Sequence, residues 1–260
     1  FDLGTSSSKA ALIDLEGRKA GTCHREVSIR QSGPGLVHQD PEEYLAGSLS
    51  CIREVLEKTG VGAQRVAAIG LSGQMGGIIG IDASHRAVTP YDLVLDVRSQ
   101  EYSTVIEKAC REKIFRISSG IWSHAQKMLW WKNEGGATYG RTEKFIPLAP
   151  YVGGRLAGLR GTQAYTDYTS LFCCGLADIR THAWSREICG DLAIDVDKLP
   201  AITEPWHIIG GLEAECARTC GLREGTPIAA GSGDQPAGFL GAGIVEPGAA
   251  IDIAGSTSVF

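Results

Sequence analysis

The sequence lacks any apolar run near the roughly 18 residues that a membrane helix needs. A membrane-spanning helix is therefore not expected in its 260 residues. It also lacks an excess of positive charge. Lys+Arg 25 against Asp+Glu 30 leaves a net charge of −5, and no local basic patch offsets it, so neither nucleic acid nor an anionic membrane surface is an expected partner. The cysteines Cys23, Cys51, Cys110, Cys173, Cys174, Cys189, Cys216 and Cys220 follow no disulfide framework and form no paired Cys-x-x-Cys for zinc. Cys216 and Cys220 share a predicted helix and read as core or surface thiols. A reducing cytoplasm is the expected setting. No Gly-x-x-x-x-Gly-Lys-Ser/Thr phosphate loop occurs, and no repeat of fixed period. The 34 glycines form neither a collagen-like period nor a low-complexity tract; they sit in discrete turns.

What is present is an ordinary globular composition, 43% hydrophobic and 21% charged, long enough for one large domain or two small ones. The chain opens at Phe1 and stops at Phe260 inside apolar, strand-like stretches, and it reads as a segment of a longer protein. Phe1 to Leu3, Lys9 to Asp14 and Lys19 to Ile29 predict an antiparallel meander of strands. Asp40 then offers an N-cap, Pro41 fits the first helical position and Glu43 completes a capping box. Leu45, Leu49, Ile52 and Leu56 continue at helical spacing, which predicts a helix of about 18 residues. Val66 to Leu71, Ile78 to Ile81, Tyr91 to Leu95 and Lys144 to Leu148 read as strands; Ser99 to Arg111, Ser123 to Asn133 and Pro150 to Ala157 read as helices. Near the end, Pro227 to Ala230 predicts a strand, Gly231 to Gln235 a tight turn, Pro236 to Leu240 the start of a helix, and Ala249 to Ala254 a last strand. This alternation predicts an α/β domain with a mixed sheet.

Three turns carry candidate chemistry. Asp2-Leu3-Gly4-Thr5-Ser6-Ser7-Ser8-Lys9 is a small-residue hairpin with a carboxylate at its entrance and a lysine at its exit. Small residues expose backbone N–H groups to an anion, hydroxyls add donors, and Asp2 is placed to hold a hydrated Mg²⁺ near a phosphate. A plain hairpin gives the same pattern. Asp234 follows a predicted buried strand and opens a helix; it is either a helix cap or a general base accepting a proton from a substrate hydroxyl. Gly255-Ser256-Thr257-Ser258 repeats the chemistry of the first turn. Two such turns and one carboxylate suit phosphoryl transfer from ATP, which needs positioning, charge neutralisation and a base.

Together with Ser72-Gly73-Gln74-Met75, Asp96-Val97-Arg98 and Gly233-Asp234-Gln235 through Gly241-Ala242-Gly243, these turns resemble the FGGY family of carbohydrate kinases, in the family's order and over essentially the whole chain. Gly35 to Glu43 also looks like the family's segment leading into its first helix, and Thr166-Asp167 with Asp178 to Trp184 is most similar to the xylulokinase branch. The resemblance implies a ribonuclease H-like, actin-like fold with a mixed sheet flanked by helices. It implies residues 1–246 as the first domain, on the sugar and phosphate side, and 247–260 as the first strand and phosphate turn of a second. Asp2, Gly4, Thr5, Ser6, Ser7 and Lys9 would form the first phosphate turn, and Gly255, Ser256 and Thr257 would meet the phosphates from the opposite side. Asp234 would be the catalytic base, with Asp2 and Asp234 near Mg²⁺. Gln74, Met75, Gly76, Asp96, Arg98, Asp234 and Gln235 would face the sugar.

The implied reaction is phosphorylation of D-xylulose to its 5-phosphate, with other ketoses and polyols of the ribulose, fuculose, glycerol or erythritol class as the alternative, and an actin- or chaperone-like ATPase without a sugar as the rival of another class. A homodimer is compatible with it. Two positions depart from the branch's pattern: Gly76 stands where a sugar-contacting histidine commonly follows Gln-Met, and Val94 stands where an aromatic often precedes Asp-x-Arg. The pocket thereby loses a hydrogen bond and gains room. Trp122, Trp130 and Trp131 read as packing residues, and His24, His85, His124, His182 and His207 as surface or core residues without metal spacing. His38 lies in a family-like segment near the expected cleft.

Overall fold

The computed structural model describes residues 1–254 and 258–259. The predicted meander forms as Asp2–Leu3, Ser7–Ile13 and Lys19–Glu26, each strand antiparallel to the next. On the other side of Asp2–Leu3, the short strands Ser72–Gly73 and Ser232–Gly233 add in parallel. The result is one five-stranded mixed sheet in which half the order is parallel and half antiparallel. Val66 to Leu71 is less regular than predicted. Only its last residues feed an assigned strand, and burial alternates, with Ile69 and Leu71 inward and Ala68 and Gly70 exposed. Its backbone is nonetheless paired: Ile69 N–H donates to Pro227 O at 2.8 Å, and the Phe1 amine donates to Gly70 O at 2.7 Å.

Helix Pro41–Thr59 lies across this sheet. Asp40 caps it by accepting from Glu42 N–H at 3.0 Å, and Gly60 ends it in the left-handed conformation at φ 66°. The predicted capping box does not form. The Glu43 carboxylate instead accepts from Ser28 N–H at 2.9 Å and pairs with Arg30, because the neighbouring loop offers a charged partner that the helix's own first turn cannot. The apolar stripe of this helix, with Tyr44, Leu45 and Ile52, packs with Leu3, Leu71, Ile79, Tyr91, Leu148, Tyr151 and Val152 into the main core.

A second core lies beneath helices Gln100–Ile117 and Ser123–Glu134 and contains Ile106, Ile114, Met128, Leu129, Trp131, Leu176 and Leu199. Residues 160–210, which carried little sequence pattern, build this side: Tyr165–Asp167 pairs in parallel with Ala201–Thr203, and Ala177–Asp178 with Ala183–Trp184 as a hairpin. All eight cysteines are buried and unbridged. Among the described residues no helix is long and apolar enough to cross a membrane.

Candidate active site

The site is built by register. Asp2, Ser72 and Ser232 are aligned across the three parallel strands, and Leu3, Gly73 and Gly233 form the next row. One residue further along, Gly4, Gln74 and Asp234 leave the sheet together at its carboxyl-terminal edge. Open sheets bind ligands at that edge, because backbone ends and turn residues converge there without side chains filling the space.

The first of these turns is held from behind by its carbonyls. Tyr44 OH donates toward Gly4 O at 3.0 Å, Gln39 Nε2 donates to Thr5 O at 2.7 Å, and Val27 N–H donates to Ser6 O at 3.1 Å. Gly4 N–H closes the hairpin on Ser7 O at 3.0 Å. With these carbonyls drawn inward, Ser6 is left exposed and Thr5 and Ser7 half-buried, the Thr5 hydroxyl turning back to donate to Gln74 Oε1. Lys9 Nζ reaches Asp2 Oδ2 at 3.2 Å, and Ser72 Oγ donates to Asp2 Oδ1 at 3.4 Å. Lysine and carboxylate therefore sit side by side at the mouth of the turn.

Asp234 is the first residue of helix Asp234–Gly241, after the cap residue Gly233. Its Oδ1 accepts from Gln235 N–H at 2.8 Å, but Gly233 occupies the cap position without a side-chain cap bond, so Asp234 is an acidic first-turn residue rather than the helix cap. Burial raises its pKa above the usual carboxylate value, and the Asp2 charge raises it further. Gly233 N–H is held by Thr169 Oγ1 at 2.9 Å, and the Thr169 hydroxyl in turn donates to buried Asp167. Ser170 Oγ donates to the other Asp167 oxygen at 2.8 Å. The Thr166-Asp167 segment thus braces the strand that presents Asp234; sequence reading marked it without a role, since the bond spans 64 residues.

The other nominated residues divide into two groups. Gln74 is buried and its amide is engaged: Nε2 donates to Gln39 Oε1 at 3.0 Å and to Tyr44 OH at 2.7 Å, and Oε1 accepts from Thr5 Oγ1 at 3.1 Å. Asp96 is buried and accepts from Val37 N–H at 2.9 Å and from Arg98 N–H at 3.0 Å. Arg98 grips Asp96 through Nε and Nη2, at 2.9 and 2.7 Å, and lies over the Trp130 ring at 5.0 Å. These three side chains are engaged in the protein's own scaffold. Met75 and Gly76, by contrast, lie beside the edge that carries Asp234. A Cβ built at Gly233 would lie 2.3 Å from Met75 Sδ, which places the methionine directly against the strand before Asp234.

Lys127 was missed from the sequence because it falls inside an apolar helix. It is fully buried, and its Nζ donates to Leu93 O and Asp96 O, both at 3.1 Å, tying down the loop that leads to Arg98. Trp131 Nε1 donates to Asp92 Oδ2 at 2.5 Å from the same helix. The packing expected of Trp130 and Trp131 is present, and it also serves this loop. His85 and His124 are buried, with burial pushing their pKa values down to about 4 and about 3. His38 stands on a strand paired with Tyr91–Asp92 and lies 3.4 Å from Ser32 Oγ through Nε2.

Gly255, Ser256 and Thr257 lie outside the described residues. Among the described residues no group of three His, Cys, Asp or Glu is arranged to hold a metal unaided. Asp2 and Asp234 stand on neighbouring strands at the same edge of the sheet, and a pair of carboxylates suits Mg²⁺, which is held by one or two carboxylates and completes its shell with phosphates and water.

Comparison with known proteins bears on the fold and the family. The chain is 26% identical over 263 residues to a xylulose kinase of Bacillus subtilis, covering 100% of this chain and 52% of that protein. It is 25% identical over 255 residues to an autoinducer-2 kinase of Salmonella typhimurium, covering 95% of this chain and 47% of that one. It therefore spans about half the length of the curated relatives it matches. The crystal structure of a xylulose kinase from Rhodospirillum rubrum superposes with a TM-score of 0.85 at 21% identity, over 95% of this chain and 52% of that one, which shows the shared actin-like ATPase fold. The sequence profile of the FGGY family of carbohydrate kinases, N-terminal domain, matches residues 1–241. The match covers most of the chain, and the chain belongs to the FGGY family of carbohydrate kinases.

Proposed function

We propose that the protein phosphorylates a sugar hydroxyl with ATP, converting D-xylulose to D-xylulose 5-phosphate, a reading supported by its similarity to proteins named xylulose kinase. The observation that carries this reading is the strand register that brings Gly4 and Asp234 out of the sheet at one edge, each one residue beyond the row Leu3, Gly73 and Gly233. Asp234 accepts the proton of the attacking primary hydroxyl, and its raised pKa makes it a stronger base than an exposed carboxylate. The Gly4 to Ser7 turn receives phosphate oxygens, with Lys9 adding positive charge. Mg²⁺, when bound with the nucleotide, neutralises phosphate charge, and Asp2 and Asp234 would hold it. Met75, Gly76 and Gln235 line the sugar side, while Gln74, Asp96 and Arg98 hold that lining in place. Gly255, Ser256 and Thr257 would meet the phosphates from across the cleft, in a second domain that starts near residue 247.

The test is ADP release by the full-length protein over a panel of ketoses and polyols, with Asp234→Asn as the control. Loss of a positioned general base lowers kcat by about 10²–10⁴-fold, and for Asp234 the acid limb of the kcat profile falls at a higher pH than an ordinary carboxylate gives. Near-wild-type turnover by Asp234→Asn removes the base assignment. ATP hydrolysis that no sugar stimulates favours the actin-like ATPase instead.

A further inference from the structure

Asp234 reaches its edge on a strand that has no neighbouring strand on its outer side. Ser232–Gly233 ends the five-stranded sheet and is paired inward with Ser72–Gly73, so its outer backbone groups must be met by something other than a ladder. Two backbone carbonyls serve the residues leading in: Pro205 O accepts from Gly231 N–H at 2.9 Å, and His207 O accepts from Ala230 N–H at 2.8 Å. The last amide before Asp234 is met by a side chain instead, Thr169 Oγ1 at 2.9 Å from Gly233 N.

A threonine hydroxyl carries one hydrogen and rotates, so by itself it either donates or accepts. Asp167 makes the choice here. The Thr169 hydroxyl gives its hydrogen to Asp167 Oδ1, which also takes Thr169 N–H at 2.9 Å, while Ser170 Oγ donates to Oδ2 at 2.8 Å. With its hydrogen committed to this buried carboxylate, the hydroxyl turns a lone pair to Gly233. Met75 closes the face of the strand, since a Cβ built at Gly233 would lie 2.3 Å from its sulfur. Gly233 itself makes no side-chain cap bond to helix Asp234–Gly241, and the bond from Gln235 N–H to Asp234 Oδ1 lies within that first turn and moves with it.

From this we infer that Thr169, oriented by Asp167, is a positioning residue for the base: it holds the Gly233 peptide and thereby sets where the Asp234 carboxylate stands against the attacking hydroxyl. The inference rests on the reading of Asp234 as the base and adds the residues that aim it. A base displaced by about 1 Å keeps its proton affinity and loses much of its rate. The Asp234 pKa is shifted by burial, the Gln235 amide and Asp2, so loss of the Thr169 hydroxyl lowers kcat without moving the acid limb of its pH profile.

The test compares Thr169→Val, Thr169→Ser and Ser170→Ala in the full-length protein, by ADP release with D-xylulose across pH and by urea unfolding. Thr169→Val removes the acceptor at nearly equal volume and is expected to lower kcat about tenfold or more, with the sugar KM changed less than about threefold. Thr169→Ser keeps the hydroxyl and is expected to restore kcat to within about threefold of wild type. Ser170→Ala takes a donor from the same carboxylate but leaves the Gly233 bond; it is expected to lower the urea midpoint and to keep kcat within about twofold. Wild-type kcat in Thr169→Val, an acid limb that moves with it, no recovery in Thr169→Ser, or an equal kcat loss in Ser170→Ala overturns the inference. Should Thr169→Val not fold, Asp167→Asn carries the test, because its amide can point a hydrogen at the Thr169 oxygen and release the hydroxyl: a kcat loss of about fivefold or more is expected, and one under about twofold overturns the inference. Near-wild-type turnover by Asp234→Asn removes the base reading itself, whereas an inactive Asp234→Asn beside a fully active Thr169→Val removes only the positioning role.

Discussion

Asp92 ends the strand Tyr91–Asp92 just before the loop that carries Asp96 and Arg98, and its burial has a measurable cost. The side chain accepts from Trp131 Nε1 at 2.5 Å and has Arg98 Nη2 at 3.3 Å, but that guanidinium is bound more closely to Asp96 at 2.7 Å. Arg98 therefore compensates Asp92 only in part, and burial raises its pKa from 3.8 to about 6. At about 1.4 kcal/mol per pH unit, that difference corresponds to ~3 kcal/mol of folding free energy. The sign follows from proton binding. Between the open-chain and folded values the folded state holds the proton more tightly, so stability is favoured at the acid end and lost as pH rises through about 6. Asp92→Asn keeps an oxygen to accept the Trp131 N–H and carries no charge. The variant is expected to match the wild type near pH 4 and to exceed it by ~3 kcal/mol near pH 7. Urea unfolding of both proteins across that range, followed by tryptophan fluorescence, gives the difference directly, because every other titrating group cancels. A difference that stays constant with pH, or a wild type that gains on the variant as pH rises, would refute the reasoning.

Two further substitutions test how the site is supported. Gly231 has φ +85°, and an added Cβ would lie 2.3 Å from the Leu71 carbonyl oxygen, which accepts from Ser232 N–H at 3.0 Å. Gly231→Ala is expected to destabilise by roughly 2–4 kcal/mol and to lower kcat, since it shifts the strand before Asp234; an unchanged unfolding midpoint would contradict this. Asp40→Ala removes the side-chain cap of helix Pro41–Thr59 and is expected to cost about 1 kcal/mol, read as a lower urea midpoint with an unchanged slope.

Local chemistry made much of the molecule readable in advance. Pro41 at the first helical position, Asp40 before it and the apolar spacing through Leu56 fix that helix through contacts within a few residues. The meander is set by alternation and by a tight turn in which Asp14 Oδ1 accepts from Arg18 N–H at 2.8 Å. The three site turns were visible for the same reason: small and hydroxylated residues interrupt apolar strands at points where a side chain would obstruct a ligand. Residues 160–210 gave no such signal, because their strands are short and pair with distant partners, Tyr165 with Ala201 for example.

Sequence by itself determined which residues are chemically equipped: Asp2 and Asp234 as carboxylates, the Gly4 to Ser7 turn as an anion cradle, Gln74, Asp96 and Arg98 as polar groups near a cleft. Only the tertiary structure decided which of these remain available. The parallel register of Asp2, Ser72 and Ser232 brings Asp2 and Asp234 to one edge, a relation that spans most of the chain. The same folding engages Gln74 with Gln39 and Tyr44, and Asp96 with Val37 and Arg98, because a polar group carried into the interior must find its partners there. Side-chain type is written locally; hydrogen-bond commitment is settled by whatever the fold packs beside it, and Gln74, Asp96 and Arg98 take their partners from segments that only folding brings near.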